Sequence, residues 1–409
     1  MVEQQATGSV AEVGRHRSCG GILPRNRHLW NKRFLRAHQS PGCANGGDPD
    51  LQFEYIIVGS GLTGAVIART LCDAGKSVLV IDRRPHLAGN IHDHVHASGI
   101  PIHSYGPHYF RTNSDDLWAF VSRLAAFRRY EPCLKSLVDG RFENWPIARN
   151  YIERKLGPEW APEFSGEAAN FEEASMKIMP RLVYEKFVKG YTEKQWGVPA
   201  SSLSAALARR FDVREDNDPR LSRHKHQGIP EHGYTALVRS MLDGVPILLN
   251  VDYLRVREHY VPGKVLVFTG PIDEYYDYDL GKLKYRGQRR VHEYHPDAGF
   301  LQPCGQVNNP APMNGDHIRS LEWKHMMDPQ HATRVRGTVI SRETPFTPED
   351  PSDYEYPFPD EANAALYRRY RERADRQDGL LICGRLGEYR YYDMDQAIAR
   401  ARLLARNLL

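Results

Sequence analysis

The sequence predicts an α/β protein, in which a Rossmann-like dinucleotide-binding domain carries an inserted helical domain and an antiparallel β-sheet domain. Three observations carry this. Residues 53–82 run strand, glycine turn, helix, strand and acid in that order. Residues 114–186 show mainly helical periodicity. From Arg289 to Arg342, patches such as Arg319-Ser-Leu-Glu-Trp-Lys alternate apolar with polar, the two-residue period of a half-buried strand.

Tyr55 to Val58 is a short continuous apolar run, as expected of a parallel strand buried on both faces. Gly59, Gly61 and Gly64 follow in G-x-G-x-x-G spacing, then a helix from Ala65 to Ala74 and a strand from Ser77 to Ile81 that ends at Asp82. That order suits a pyrophosphate on a helix N-terminus and an acid accepting from a ribose hydroxyl. The loop Arg83 to Asn90 comes next, with Gly89 permitting close backbone approach. Gly59, Gly61, Gly64, Asp82, Arg83, Gly89 and Asn90 are therefore cofactor-binding candidates. By itself the motif does not choose between FAD and NAD.

Length and composition bound the rest. A chain of 409 residues suggests two or three domains. The 55 basic and 51 acidic side chains are too balanced to imply a nucleic-acid partner. No run approaches the ~18 apolar residues of a membrane helix. The six cysteines show no C-x-x-C spacing, which points to reduced thiols in a cytoplasmic enzyme. Residues 1–50 are Arg-rich and acid-poor like a transit peptide but lack an amphipathic period, so they read as a disordered N-terminal extension.

Further along, His92, His94 and His96 alternate as on one strand face. They read as an exposed polar face, with Asp93 and His103 keeping a divalent metal in play. Tyr105-Gly-Pro-His108-Tyr-Phe-Arg111 is a dense aromatic loop of the kind that lines a site. Helical stretches follow at about 150–156, 172–179 and 181–189. Phe187, Tyr191 and Trp196 form an aromatic shelf, the first two placed four apart on one helical face. Beyond it Arg209 and Arg210 open a polar, basic stretch to His226 that reads as a mobile loop suited to an anionic nucleotide.

Strands near 246–251 and 264–269, the latter running into Thr269-Gly-Pro-Ile-Asp273, return the chain to the nucleotide sheet. Residues 344–359 read as a loop and 361–375 as a helix. The last apolar strand leads through Gly384-Arg385 to Tyr391-Tyr-Asp393-Met394 and a final helix. Such a return aims Met394 and its neighbours at a cofactor, and a helix N-terminus there can stabilise negative charge on a flavin, which favours FAD. The predicted division is 51–112 with 229–290 and 376–409 for the FAD-binding domain, and 113–186 for the helical domain. Residues 187–228 with 291–375 form the mobile loop and the sheet-based substrate domain.

Several motifs together resemble the UDP-galactopyranose mutase family: Ile-Ile-Val-Gly-Ser-Gly-Leu-Thr-Gly-Ala at 56–65, Tyr-Gly-Pro-His at 105–108, Gly-Tyr-Thr-Glu-Lys-Gln-Trp-Gly at 190–197, Gln-Gly-Ile-Pro at 227–230, Thr-Gly-Pro-Ile-Asp at 269–273 and Gly-Arg-Leu-Gly-Glu-Tyr-Arg-Tyr-Tyr-Asp-Met at 384–394. The resemblance implies FAD, helical and six-stranded sheet domains. It also implies interconversion of the pyranose and furanose forms of a nucleotide-diphosphate sugar, through attack of reduced flavin N5 on the anomeric carbon. UDP-galactose is the default substrate, with GDP- or dTDP-hexoses as alternatives, and a homo-oligomer is expected.

By the same resemblance Phe187 and Tyr191 would stack on the base and Trp196 would flank the sugar. Arg210 and Arg319 would neutralise the leaving diphosphate, and Tyr391 would contact phosphate. His108 would sit by the flavin, while Arg385, Asp393 and Met394 would hold it. The chain departs from the family pattern at Arg111 (a histidine there), Leu221 (a tyrosine), Ala88 and Cys383 (glycines). A pocket tyrosine falls at Glu355 or, with a shifted gap, at Tyr356. Two other readings share these motifs: a flavin-independent, metal-assisted mutase on the same fold, and a flavin amine-oxidase-like oxidoreductase.

Overall fold

The computed structural model describes residues 53–211 and 213–409. The expected N-terminal extension lies outside them. Tyr55–Val58 is buried along its whole length and pairs in parallel with Val78–Ile81 on one side and Val265–Phe268 on the other. Ile247–Leu248 and Leu380–Ile382 complete a five-stranded parallel sheet at its two edges. The chain thus returns to this sheet twice, after Pro246 and after Gly379. The helix Leu62–Asp73 shares one core with the C-terminal helix Met394–Asn407, through Ala65, Val66 and Leu71 with Ile398, Ala401 and Ala405. Gly59, Asp82, Thr269 and Cys383 follow the carboxyl ends of their strands, where open α/β sheets hold ligands.

A second sheet has seven strands in the order Tyr356–Pro357, Tyr285–His295, Thr338–Phe346, Arg319–Glu322, Gln306–Asn308, Leu134–Val138, Arg141–Trp145. The last two strands correct the reading of 113–186 as helical. Leu134-Lys-Ser-Leu-Val138 buries every second residue, and Asp139-Gly140, with φ of 50° and 74°, makes the tight turn back into Arg141–Trp145. Positive φ at both central residues is the type I′ geometry of a two-residue hairpin. Helix is confined to Asp115–Leu124, Arg149–Leu156, Phe171–Met176 and the run 181–196.

Within that run Tyr184–Lys189 is a π-helix and Gly190–Trp196 an α-helix, ended by Gly197 in the left-handed region. The octapeptide 190–197 fits tightly. A Cβ on Gly190 would meet the carbonyl oxygen of Pro310 at 2.2 Å. Lys194 Nζ donates to the carbonyls of Asn309, Ala311 and His317. Arg286 Nε donates to the Gln195 carbonyl at 2.8 Å. This helix is thereby pinned against the seven-stranded sheet with Tyr191 and Trp196 on it.

The alternating histidines engage separate neighbours and one another rather than a common metal-binding point. His92 stacks on His86 with ring centroids 3.9 Å apart, His92 and His94 both engage Ser104 Oγ, and His96 engages Ser98. Asp93 accepts from the N–H groups of Tyr234 and Thr235, capping the helix Gly233–Met241. Among the described residues no group of three or more His, Cys, Asp or Glu is placed to hold a metal ion.

Candidate active site

A groove follows the carboxyl edge of the parallel sheet, lined by Gly59, Gly61, Gly64, Asp82, Arg83, Gly89, Asn90, Thr269, Gly384, Arg385 and Met394. Its floor is backbone. A Cβ on Gly64 would lie 2.0 Å from the Gly59 carbonyl oxygen, so only glycine lets this helix sit so close to the strand. Gly61 and Gly89 face each other closely: a Cβ on Gly89 would come within 2.9 Å of Gly61 Cα. The helix Leu62–Asp73 has no side-chain cap and no acid in its first turn, leaving its N–H groups for an anion. Asp82 accepts from Ser60 N, Ser60 Oγ and Arg84 N, which leaves a lone pair for a ribose hydroxyl.

The two departures from glycine differ in their relation to the groove: Ala88 lines it and Cys383 does not. Cys383 is wholly buried in the core with Ile398 and Ala401, away from the groove lining. Ala88 is also wholly buried; it adopts φ 74°, bridges to Gly61 and adds one methyl to the same core. A left-handed alanine costs about 1–2 kcal/mol, and this one lies in the groove lining beside Gly89.

At Asn90, Arg385, Tyr392 and Met394 the groove joins a second, larger cavity. Tyr191, Trp196, Arg210, Arg319, Tyr356, Tyr391 and His108 line it. Its mouth is a stack: the Arg210 guanidinium lies 4.3 Å from the Tyr391 ring centroid, Tyr391 is parallel to Tyr356 at 6.2 Å, and Arg385 approaches both rings. Burial pushes the Tyr191 and Tyr356 phenols up, so both remain protonated donors. Burial, then the neighbouring His103 and Arg385, hold the His108 imidazole well below the ordinary histidine range. His108 is therefore neutral, and its buried Nδ1 has no protein hydrogen-bond partner among the described residues. A neutral imidazole with an unsatisfied nitrogen beside the groove junction suits a heterocyclic ligand.

Beneath the 105–108 loop lies a ladder of alternating charges on three adjacent strands and on Glu355, the residue that precedes Tyr356–Pro357. Arg319 Nε donates to Glu343 Oε2, and Arg290 Nε donates to Glu343 Oε1 at 2.9 Å. Arg290 Nη1 and Nη2 donate to the two oxygens of Glu355, each at 2.8 Å. Gly106, at φ 91°, sits on top; a Cβ there would meet Glu343 Oε1 at 2.9 Å. Burial opposes charge on Arg319, but the adjoining Glu343 more than offsets it, and its pKa stands well above the usual arginine value.

Of the residues singled out from sequence, the structure gathers Arg210, Arg319, His108, Trp196, Tyr191, Tyr356, Tyr391, Arg385, Asp393 and Met394 around the cavity. Phe187 is not among them. It is 1% exposed and meets Tyr151 edge-to-face in the core, on the π-helix Tyr184–Lys189 that precedes the helix carrying Tyr191. Arg83 lines the groove, but its guanidinium is tied bidentately to Glu274. Asp393 spends its carboxylate on capping the last helix and on Arg111, 3.3 Å away. That helix N-terminus is thus already capped. Sequence reasoning missed Arg84, which holds Asn90 and covers the Tyr105 ring at 4.4 Å, and the partners Arg290 and Glu343. The alternation of charge with apolar residues along 319–322 and 338–346 was the available signal.

The UDP-galactopyranose mutase family profile matches residues 186–391, and an NAD(P)-binding Rossmann-like domain profile matches 57–124. A probable UDP-galactopyranose mutase of Klebsiella pneumoniae is 32% identical over 370 residues, covering 87% of this chain and 94% of that protein. The chain belongs to the UDP-galactopyranose mutase family. It is accordingly an isomerase. A dTDP-fucopyranose mutase of Escherichia coli is similar to nearly the same degree, 31% identical over 87% of this chain and 99% of its own. Among solved structures, a reduced UDP-galactopyranose mutase superposes with a TM-score of 0.67 at 14% identity, over 88% of this chain and 94% of that one, a likeness of fold.

Proposed function

We propose that this family member is a flavin-dependent mutase that interconverts the pyranose and furanose forms of a nucleotide-diphosphate hexose. The observation that carries the reading is the junction itself: a glycine-floored dinucleotide groove opens directly into a cavity walled by Tyr191, Trp196, Arg210 and Arg319. Gly61, Gly89, Asp82 and the N-terminus of Leu62–Asp73 would hold the pyrophosphate and ribose of FAD. Asn90, His108, Arg385 and Met394 would face its ring system. When bound and reduced, the flavin supplies nucleophilic character next to the sugar.

The chain's own residues do the rest. Arg319, fixed by Glu343, and Arg210, stacked on Tyr391, line the same cavity and would act as two cations on a diphosphate that leaves the anomeric carbon and returns to it. Tyr356 adds a protonated phenol to the same wall, beside the Tyr391 ring. Trp196, 6% exposed and braced by Phe358, bounds the sugar. Ring opening and reclosure through another hydroxyl then occur inside a walled cavity, which limits loss of the opened sugar to water. UDP-galactose is the substrate we favour, with dTDP- and GDP-hexoses as the alternatives.

The test is incubation with UDP-, dTDP- and GDP-hexoses with and without dithionite, with chromatography for the furanose isomer. Furanose formed from one nucleotide class under reducing conditions supports the reading. Absence of any ring isomer across the panel overturns it.

A further inference from the structure

Arg290 has every guanidinium nitrogen engaged. Nε serves Glu343, Nη1 serves Glu355 and the Gln288 carbonyl, and Nη2 serves Glu355. Its side chain is 7% exposed, and it stays out of the cavity that Arg319 and Glu355 both line. Yet it is close to that cavity. A Cβ on Gly106 would lie 3.1 Å from Arg319 Nη2 and 3.3 Å from Arg290 Nη2, so the two arginines converge on one point under the loop. A carboxylate facing a diphosphate pocket would repel its ligand unless a cation met it, and here Arg290 meets it in a two-bond fork.

We propose that Glu355 is a charge-balancing positioning residue: by holding Arg290 bidentately it keeps a further guanidinium from acting on the diphosphate, and so sets the affinity of the site for that group. This rests on the mutase reading above. Engagement of Arg290 by Glu355 leaves Arg210 and Arg319, which line the cavity, as the cations aimed at the leaving group. Extra attraction exerted equally on bound substrate and on the departed diphosphate would tighten both without speeding their exchange. The alternative is that Glu355 is only a tie fastening the 347–357 loop to the sheet.

The experiment compares full-length wild type, Glu355→Gln, Arg290→Met and the double variant. The dissociation constants of UDP and of inorganic pyrophosphate are measured calorimetrically at low and high salt, with thermal melts alongside. A unit charge about 10 Å away at an effective dielectric near 20 changes anion affinity by about tenfold. Glu355→Gln is expected to bind both probes about tenfold more tightly at low salt, with the gain shrinking at high salt. Arg290→Met is expected to bind them about tenfold more weakly, and the double variant to return to within about threefold of wild type.

A mere tie weakens binding in both single variants and gains nothing in the double; that pattern, or unchanged affinity in Glu355→Gln, overturns the proposal. If Glu355→Gln does not fold, weakening in Arg290→Met reversed by the double variant supports the proposal and failure of reversal sinks it. Wild type that binds pyrophosphate but no nucleotide refutes the nucleotide reading, while the signs of the pyrophosphate shifts still judge the ladder.

Discussion

Replacing Arg319 by Met keeps the aliphatic stem and removes the charge. In most buried ion pairs this would strand the partner at about 3–5 kcal/mol. Here Glu343, wholly buried, keeps Arg290 at 2.9 Å, so the fold should lose about 1–3 kcal/mol, one charge-assisted hydrogen bond. The catalytic loss should be larger. One preorganised donor aimed at developing charge supplies about 2.7–4 kcal/mol, or roughly 100- to 1,000-fold in kcat. The assay is anaerobic turnover of reduced enzyme by chromatography, with thermal melts and UDP titrations on the same samples. The expected pattern is a kcat loss in that range, a melting point lower by a few degrees, and partial recovery in Arg319→Lys, which restores charge but not the fork. A kcat within threefold of wild type would refute the diphosphate assignment. So would a collapse in melting temperature large enough to explain the loss by unfolding.

Gly64→Ala puts a Cβ 2.0 Å from a backbone carbonyl that cannot move, so it should lose over about 4 kcal/mol of stability, whereas Gly75→Ala, with nothing within 4 Å at φ 74°, should lose about 1–2; comparable melts for the two would contradict the helix–strand packing. His103 Nδ1 accepts from His108 N–H at 3.0 Å, and burial lowers its pKa from 6.5 to about 4. The folded state therefore binds fewer protons than the unfolded state between those values, so up to about 3 kcal/mol present above pH 6.5 is lost as pH falls towards 4. In His103→Asn, which still offers an acceptor, the melting temperature should fall less steeply between pH 7 and 4.5; parallel curves would remove His103 from the account. Trp196→Phe opens the sugar wall and should raise KM several-fold with a smaller change in kcat, measured by initial rates; the reverse split would assign Trp196 to the chemical step.

The parallel sheet was legible because its evidence is local. The run Tyr55 to Val58, the three glycines and Asp82 lie within thirty residues, and each constrains the backbone directly. The returning strands were marked by apolar runs ending at Thr269 and Gly384. The hairpin 134–145 was missed although Asp139-Gly140 is a strong turn signal, because helical stretches on both sides dominated the reading of the segment. Whether Glu355 or Tyr356 stood at the pocket position was ambiguous from the chain alone. In the fold both line the cavity, Tyr356 stacked against Tyr391 and Glu355 paired with Arg290. That pairing joins residues 65 positions apart, a relation that no local period encodes. Phe187 was misplaced for a different reason: the i, i+4 spacing with Tyr191 does not say which neighbour fills the space, and here Tyr151 and the surrounding core claim the ring.

Flavin content and its redox state probe the junction between groove and cavity most directly. Purified protein should carry FAD close to one per chain, and after graded photoreduction its rate of furanose formation should rise in proportion to the reduced fraction, reaching zero in the oxidised enzyme. Full activity in protein free of flavin, or a rate indifferent to reduction, would contradict the function proposed for this cavity.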